Sequence, residues 1–245
     1  QAYFAYDSKK AGGATRSNLR FGHSPIRATY YVNNADFISC SLDNYVIKYD
    51  MLKNLKDGGT FLLNTEFSKE EIVDYLPNRV KKQLADKKAK FYIINANDIA
   101  SEIGMGRRTN TILQSAFFAL NPQILPIDKA VEYMKEMAKK TYGKKGDAIV
   151  QLNYKAIDAG KDAIEEVTVD PTWSDLTVNN TRATTGDEHF DQFVSVINSL
   201  DGYDLPVSAF MDKLDGSMKS GVAIKEKRAI AIQVPRWNKE NCIQC

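Results

Sequence analysis

Residues 1–95 alternate short apolar runs with amphipathic stretches, and that alternation narrows the fold more than any other feature of the chain. Tyr3–Tyr6, Thr29–Val32, Phe37–Cys40, Thr60–Asn64 and Phe91–Asn95 read as strands. Between them, Tyr45, Val46, Tyr49, Leu52 and Leu55 recur at helical spacing, so 43–55 reads as a helix. It is expected to end at Asp57-Gly58-Gly59, where glycine supplies a left-handed C-cap. Ser68 opens the next helix, with Glu71 three residues on, as in a capping box. Strands alternating with helices predict an α/β fold: an open, mostly parallel, Rossmann-like sheet flanked by helices.

From about 96 to 166 the pattern turns helical. Ala130, Val131, Met134, Met137 and Ala138 form one apolar stripe, and Ile149, Leu152, Ala156, Ala159 and Ala163 another. Both read as packing faces, with Tyr142-Gly143-Lys144-Lys145-Gly146-Asp147 as the turn between their helices. Around 168–185 the texture becomes rich in Asp, Thr and Asn, which suits a connector. A short helix is expected at 187–200, a little-periodic stretch from Asp201 to Lys225, and a last strand at Arg228–Val234.

Hydrophobic content of 43% is enough for a core, and charged content of 26% is ordinary for a globular chain. No apolar run approaches the roughly 18 residues needed to span a bilayer, and no secretion signal is visible, so a membrane location is not expected. Three cysteines do not make a disulfide framework, and they point to a reducing, cytoplasm-like compartment. Cys40, in Asp36-Phe37-Ile38-Ser39-Cys40, reads as a buried thiol. The net charge is only +2, yet residues 1–30 carry Lys9, Lys10, Arg16, Arg20 and Arg27 against Asp7 alone. Such a local excess suits a small anionic ligand better than duplex nucleic acid, or is a solvated basic face.

Two glycine–basic segments stand out. Tyr6-Asp7-Ser8-Lys9-Lys10-Ala11-Gly12-Gly13 follows a strand, and glycines there let backbone N–H groups approach an anion while lysine adds charge. It matches neither a Walker loop nor Gly-x-Gly-x-x-Gly, and a tight surface turn is the alternative. Gly104-Met105-Gly106-Arg107-Arg108-Thr109-Asn110 precedes the helix of 112–120, where free N–H groups and two arginines suit a phosphate; simple capping is the alternative. Asn153 lies beside the apolar stripe of its helix, either as a packing polar group or as an amide offered to a cleft. His23 and His189 lack partners at metal spacing, and no complete catalytic set is visible. Cys242-Ile243-Gln244-Cys245 reads as half of an iron–sulfur run, half of a zinc site, or a redox pair, the last poorly placed at a chain end. Together with an opening Gln1 that enters a strand directly, it suggests an internal segment of a longer polypeptide.

Tyr6-Asp7-Ser8-Lys9-Lys10 with Gly12-Gly13, Leu19-Arg20-Phe21-Gly22 with Pro25-Ile26, and Lys56-Asp57-Gly58-Gly59-Thr60-Phe61 resemble pyruvate:ferredoxin (flavodoxin) oxidoreductases. So do Gln114-Ser115-Ala116-Phe117-Phe118, Leu205-Pro206-Val207-Ser208-Ala209-Phe210 and Val234-Pro235 through Cys245, in order along the whole chain. The resemblance implies a multidomain cytoplasmic homodimer that uses thiamine diphosphate, coenzyme A and [4Fe–4S] clusters to convert pyruvate to acetyl-CoA and CO₂, reducing ferredoxin or flavodoxin. It implies a gamma-type, coenzyme A-associated domain over 1–167, lacking its first strand–helix unit. A connector over 168–240 and the start of a ferredoxin-like domain over 241–245 follow. Lys10, Asn110 and Asn153 would then contact coenzyme A, and Cys242 and Cys245 would ligate a cluster. Thiamine diphosphate would sit in other domains of the same polypeptide, and this segment alone would be inactive. The alternative is a purely structural inter-domain module.

Overall fold

The computed structural model describes residues 1–6, 13–178, 184–226 and 235–244. The chain forms two compact bodies, Gln1–Tyr31 with Arg182–Cys245, and Val32–Thr181.

In the first body, β1 (Ala2–Tyr6) pairs antiparallel with β2 (Thr15–Leu19). Tyr3–Tyr6 is a strand as expected, but it belongs to this separate two-stranded sheet. The segment 29–32, expected as a strand, is irregular. Arg20 accounts for this locally: its guanidinium donates to Tyr31 O at 2.9 Å and lies 4.9 Å from the Tyr30 ring centroid. The expected helix near 187–200 forms at its centre as a π-turn over Phe190–Val194 running into a short α-helix at Ser195–Asn198. Asp187 caps it, accepting from Phe190 N–H at 3.1 Å. Beyond it come isolated 3₁₀ turns with large apolar side chains exposed, Tyr203 (91%), Ile224 (85%) and Val207 (83%) among them. The expected strand 228–234 lies outside the described residues.

The second body is a three-layer α/β/α sandwich. Its elements are β3 (Ala35–Cys40), α1 (Asn44–Lys48), β4 (Leu55–Asn64), α2 (Lys69–Tyr75), α3 (Asn78–Asp86), β5 (Lys90–Ile94), α4 (Ala96–Ile103), α5 (Asn110–Leu120), α6 (Ile127–Tyr142), α7 (Asp147–Asp162) and β6 (Glu165–Val167). The sheet order is β3-β4-β5-β6, with β3, β4 and β5 parallel and β6 antiparallel on the edge. Alternation along β4 sorts the two faces. Phe61 and Leu63 join Ile72, Val80, Leu84 and Phe91 on one side, where the Phe61 and Phe91 rings stack at 5.6 Å. Leu62 and Ile94 join Ala100, Ile112, Ala116 and Ala156 on the other. Burial on both faces explains the unbroken apolar run in β4.

Two local expectations change. The helix at 43–55 shrinks to Asn44–Lys48, because Arg79 takes the Val46 and Tyr49 carbonyls at 3.1 and 2.9 Å and Leu55 already starts β4. Val46, Tyr49, Leu52 and Leu55 are buried all the same, three of them outside the helix their spacing suggested. Gly58 does take a left-handed conformation (φ +70), but within β4 rather than as a helix cap. It bulges the strand between the Ala35↔Leu55 and Phe37↔Thr60 pairs and donates to Lys87 O at 2.6 Å. The Ser68–Glu71 capping box forms as expected. Trp173, in the 3₁₀ turn Pro171–Asp175, is buried with the core of the α2–α3 side.

α5 and α7 pack closely on the opposite side. A Cβ on Gly160 would meet Ile112 O at 2.4 Å, and the buried Ser115 hydroxyl donates to Ile157 O at 2.5 Å. In α6, Ala130, Met134 and Ala138 are buried as expected, but Met137 is 57% exposed, one step round the helix from the packed stripe. Gly160→Ala is expected to lower unfolding free energy by about 1 to 3 kcal/mol, measured by denaturant titration. Gly143→Ala, at right-handed backbone angles with nothing within 4 Å of the new methyl, should leave it unchanged or slightly higher.

Candidate functional site

The turn from α4 to α5 is shaped by two glycines. Gly104 closes α4 at φ +88, with its N–H shared between Ala100 O and Ser101 O, and Gly106 follows at φ +63. An L side chain at either angle is strained, so glycine is what lets the chain reverse here. The turn delivers Arg107, Arg108 and Thr109 to the start of α5. Thr109 makes no side-chain cap bond there, so the first N–H groups of α5 carry positive potential without a side-chain acceptor from the cap.

The turn from α6 to α7 faces the same space. Gly146, at φ +103, precedes α7 and Lys145 stands beside it, with its ammonium 5.8 Å from the Tyr142 ring centroid. Asn153, in the second turn of α7, is 3% exposed. Its amide donates to Ile149 O at 2.8 Å, and its oxygen accepts from the Thr111 hydroxyl at 3.4 Å. Asn153 is therefore a hydrogen-bonded packing group that also lines a cavity. It satisfies packing between α5 and α7, and a second N–H and a second lone pair remain on a carboxamide that lines a cavity.

Two adjoining compartments open at this junction. One, of about 320 Å³, is lined by Gly104, Met105, Gly106, Arg108, Ile149, Leu152 and Asn153. The other, of about 270 Å³, is lined by Met105, Arg108, Asn110, Thr111, Tyr142, Lys145 and Asn153. The structure thus brings Asn110 and Asn153 together. Lys10 lies outside the described residues. Ile149 and Leu152, expected as packing residues, line the apolar compartment. In the sequence, Tyr142 and Lys145 stand out only as part of a turn. The available signal was a lysine between glycines ahead of a helix, the same chemistry that singled out Arg107 and Arg108. Among the described residues, neither Arg108 nor Lys145 forms an ion pair, and no carboxylate lines either compartment.

The cysteines differ sharply. Cys40 is 1% exposed, donates to Leu42 O at 3.1 Å, and its thiol is pushed up to about 11 by burial, with Asp43 adding to the rise. Cys242 is exposed, and hydrogen bonds from the Trp237 indole and the Gln244 backbone hold its thiol below the ordinary range. Cys245 lies outside the described residues. Among the described residues no cluster of three or more His, Cys, Asp or Glu side chains could hold a metal, and no helix is long and apolar enough to cross a membrane.

Residues 1–163 match the family model for pyruvate ferredoxin/flavodoxin oxidoreductase. The chain belongs to this family. It is 46% identical to the pyruvate:ferredoxin oxidoreductase of Moorella thermoacetica, covering all of this chain and 21% of the relative. It is 45% identical to the pyruvate-flavodoxin oxidoreductase of Klebsiella pneumoniae, again over all of this chain and 21% of the relative. A pyruvate dehydrogenase [NADP(+)] of Cryptosporidium parvum is 40% identical over the whole chain, which spans 14% of it. The chain therefore spans about a fifth or less of these relatives' length. The crystal structure of pyruvate oxidoreductase subunit PORC from Thermotoga maritima shares the fold, with a TM-score of 0.51 at 18% identity over 67% of this chain and 79% of that one.

The contrast between the thiols is measurable. In the metal-free folded chain near pH 8, iodoacetamide should label Cys242 and leave Cys40 unmodified until denaturant is added, read by peptide mass mapping. Labelling of both at similar rates would contradict the burial assigned to Cys40.

Proposed function

We propose that this chain is the part of a pyruvate:ferredoxin or flavodoxin oxidoreductase that holds coenzyme A, in a reducing, cytoplasm-like compartment. The observation that carries this reading is the convergence of Asn110 and Asn153, far apart in sequence, on one cavity with Arg108 and Lys145 at its rim. Coenzyme A presents a diphosphate, a 3′-phosphate and amide groups. Lysine and arginine answer the phosphates, and carboxamides offer both donor and acceptor. Lys10 is assigned to coenzyme A by the family resemblance alone. The reaction assigned to the whole protein is oxidative decarboxylation of pyruvate to acetyl-CoA and CO₂. The wording shared by its relatives supports this, since ferredoxin, flavodoxin and NADP(+) all occur in their names while pyruvate stays constant.

Residues 1–167 form the coenzyme A-associated domain in this reading, 168–240 the connector and 241–245 the start of a ferredoxin-like domain. Cys242 fits a cluster ligand. It is exposed, its thiol is held below the ordinary range by the Trp237 and Gln244 hydrogen bonds, and N–H donors on a ligand sulfur are the contacts that tune such sites. With Cys245 it would hold part of a [4Fe–4S] cluster, which supplies single-electron transfer when bound. Thiamine diphosphate is assigned to other domains of the same polypeptide. Exposed Tyr203, Val207, Leu214 and Ile224 support a second, organising role, since such side chains suit contact with further protein.

In the full-length enzyme, Lys10→Ala and Asn110→Ala are each expected to raise the KM for coenzyme A by about 5- to 100-fold, corresponding to about 1 to 3 kcal/mol for a lost charged or polar contact. The KM for pyruvate should move little. Unchanged coenzyme A parameters in both variants would leave only the organising role.

A further inference from the structure

We infer that Arg108 and Lys145 form a clamp for a single phosphate monoester, so that the site selects coenzyme A bearing its 3′-phosphate over the dephosphorylated carrier. This rests on the coenzyme A reading above and goes further, because it names two residues and the group they recognise. Arg108 comes from the α4–α5 turn and Lys145 from the α6–α7 turn, and both line the same compartment of about 270 Å³. Both are exposed, and neither is engaged by a carboxylate among the described residues. Among the described residues, no acidic side chain lines the space to balance them.

Two uncompensated cations converging on one small volume match a group that concentrates charge. A phosphate monoester carries about −1.5 to −2 at pH 7, whereas each phosphate of a diphosphate diester carries about −1. The guanidinium can grip two oxygens at once while the ammonium meets a third as a point charge. The uncapped N–H groups at the start of α5 lie beside Asn110 and add donors of the same sign.

The second compartment says what should be attached to that phosphate. It shares Met105, Arg108 and Asn153 with the first, and Ile149 and Leu152 give it an apolar wall. A ligand filling both must carry its dianion next to an apolar body. The 3′-phosphorylated adenosine end of coenzyme A meets that description, since the phosphate and the base sit on one ribose. The dephosphorylated carrier keeps the base and the diphosphate but loses the dianion.

The test is calorimetric titration of the full-length enzyme with coenzyme A and with 3′-dephospho-coenzyme A. Wild type should bind the dephosphorylated form at least about 10-fold more weakly, the loss expected for a charge-assisted contact. Arg108→Gln and Lys145→Gln should each weaken coenzyme A while leaving the dephosphorylated form nearly unchanged, so that the ratio falls toward one. Arg107→Gln, a neighbouring cation that lines neither compartment, should keep the wild-type ratio. Unfolding curves of the variants check that these surface changes leave the fold intact. Equal affinity of wild type for both carriers, or a ratio preserved in both variants, overturns the clamp while coenzyme A binding stands. Absence of binding by either carrier overturns the coenzyme A reading and the clamp with it.

Discussion

The close approach of α5 and α7 is the contact on which the candidate site depends. The two helices meet where Gly160 leaves room for the Ile112 carbonyl, with space too small for even a methyl group. Ser115 ties the same pair by donating to Ile157 O, and Thr111 with Asn153 ties them again nearer the cavity. Each bond crosses between helices that present cavity-lining residues, Asn110 from one and Asn153 from the other. A site assembled from two helices is only as well placed as the contact that sets their spacing. Here small residues, the buried Ser115 hydroxyl and the half-buried Thr111 hydroxyl set it, where larger apolar side chains would hold the axes further apart.

The sheet supplies the rigid back wall for that pair. β4 is buried on both faces, and at its carboxyl end Asn64 resolves what would otherwise be an awkward polar ending. Its amide donates to Ser41 O at 3.1 Å, and its oxygen accepts from Ala96 N–H at 2.9 Å. One buried side chain thereby joins the loop after β3 to the start of α4, the helix whose glycine-closed end forms the cavity rim. Leu62, Ile94, Ala100 and Ile112 carry the same link through packing. The alanines let α4 and α5 lie close to the strands.

Periodicity made the second body legible wherever one element buries one face. The strands around Phe37, Thr60 and Phe91, the capping box at Ser68 and the helices over 96–162 all follow from local pattern. Pattern misled where burial was real but the backbone took another route. Leu52 and Leu55 are core residues at helical spacing in a segment that Arg79 and the start of β4 keep short of a helix. β2 was invisible because Thr15–Leu19 has little apolar alternation and is held by pairing with β1. At the site, glycine and arginine announced the α4–α5 turn, local pattern singled out Asn110 and Asn153, and the resemblance supplied their ligand. Lys145 went unread because nothing local to a lysine in a turn says which other turn it will face. That information lies in the packing of α6 against α7 by Met134, Ala138 and Ile157.

Charge at the site is a local rather than a global property. The whole chain is nearly neutral at +2, so its overall field gives little attraction for an anion. At physiological ionic strength exposed charges are screened over about 8 Å, and distant lysines contribute little at the cavity. What remains is the contact field of Arg108, Lys145 and the start of α5, unopposed by any lining carboxylate among the described residues. Such an arrangement discriminates among ligands by the charge each places within hydrogen-bond reach, and does little to draw them in from afar. That is the behaviour the proposed coenzyme A site calls for, since such a carrier must be told apart from close chemical relatives.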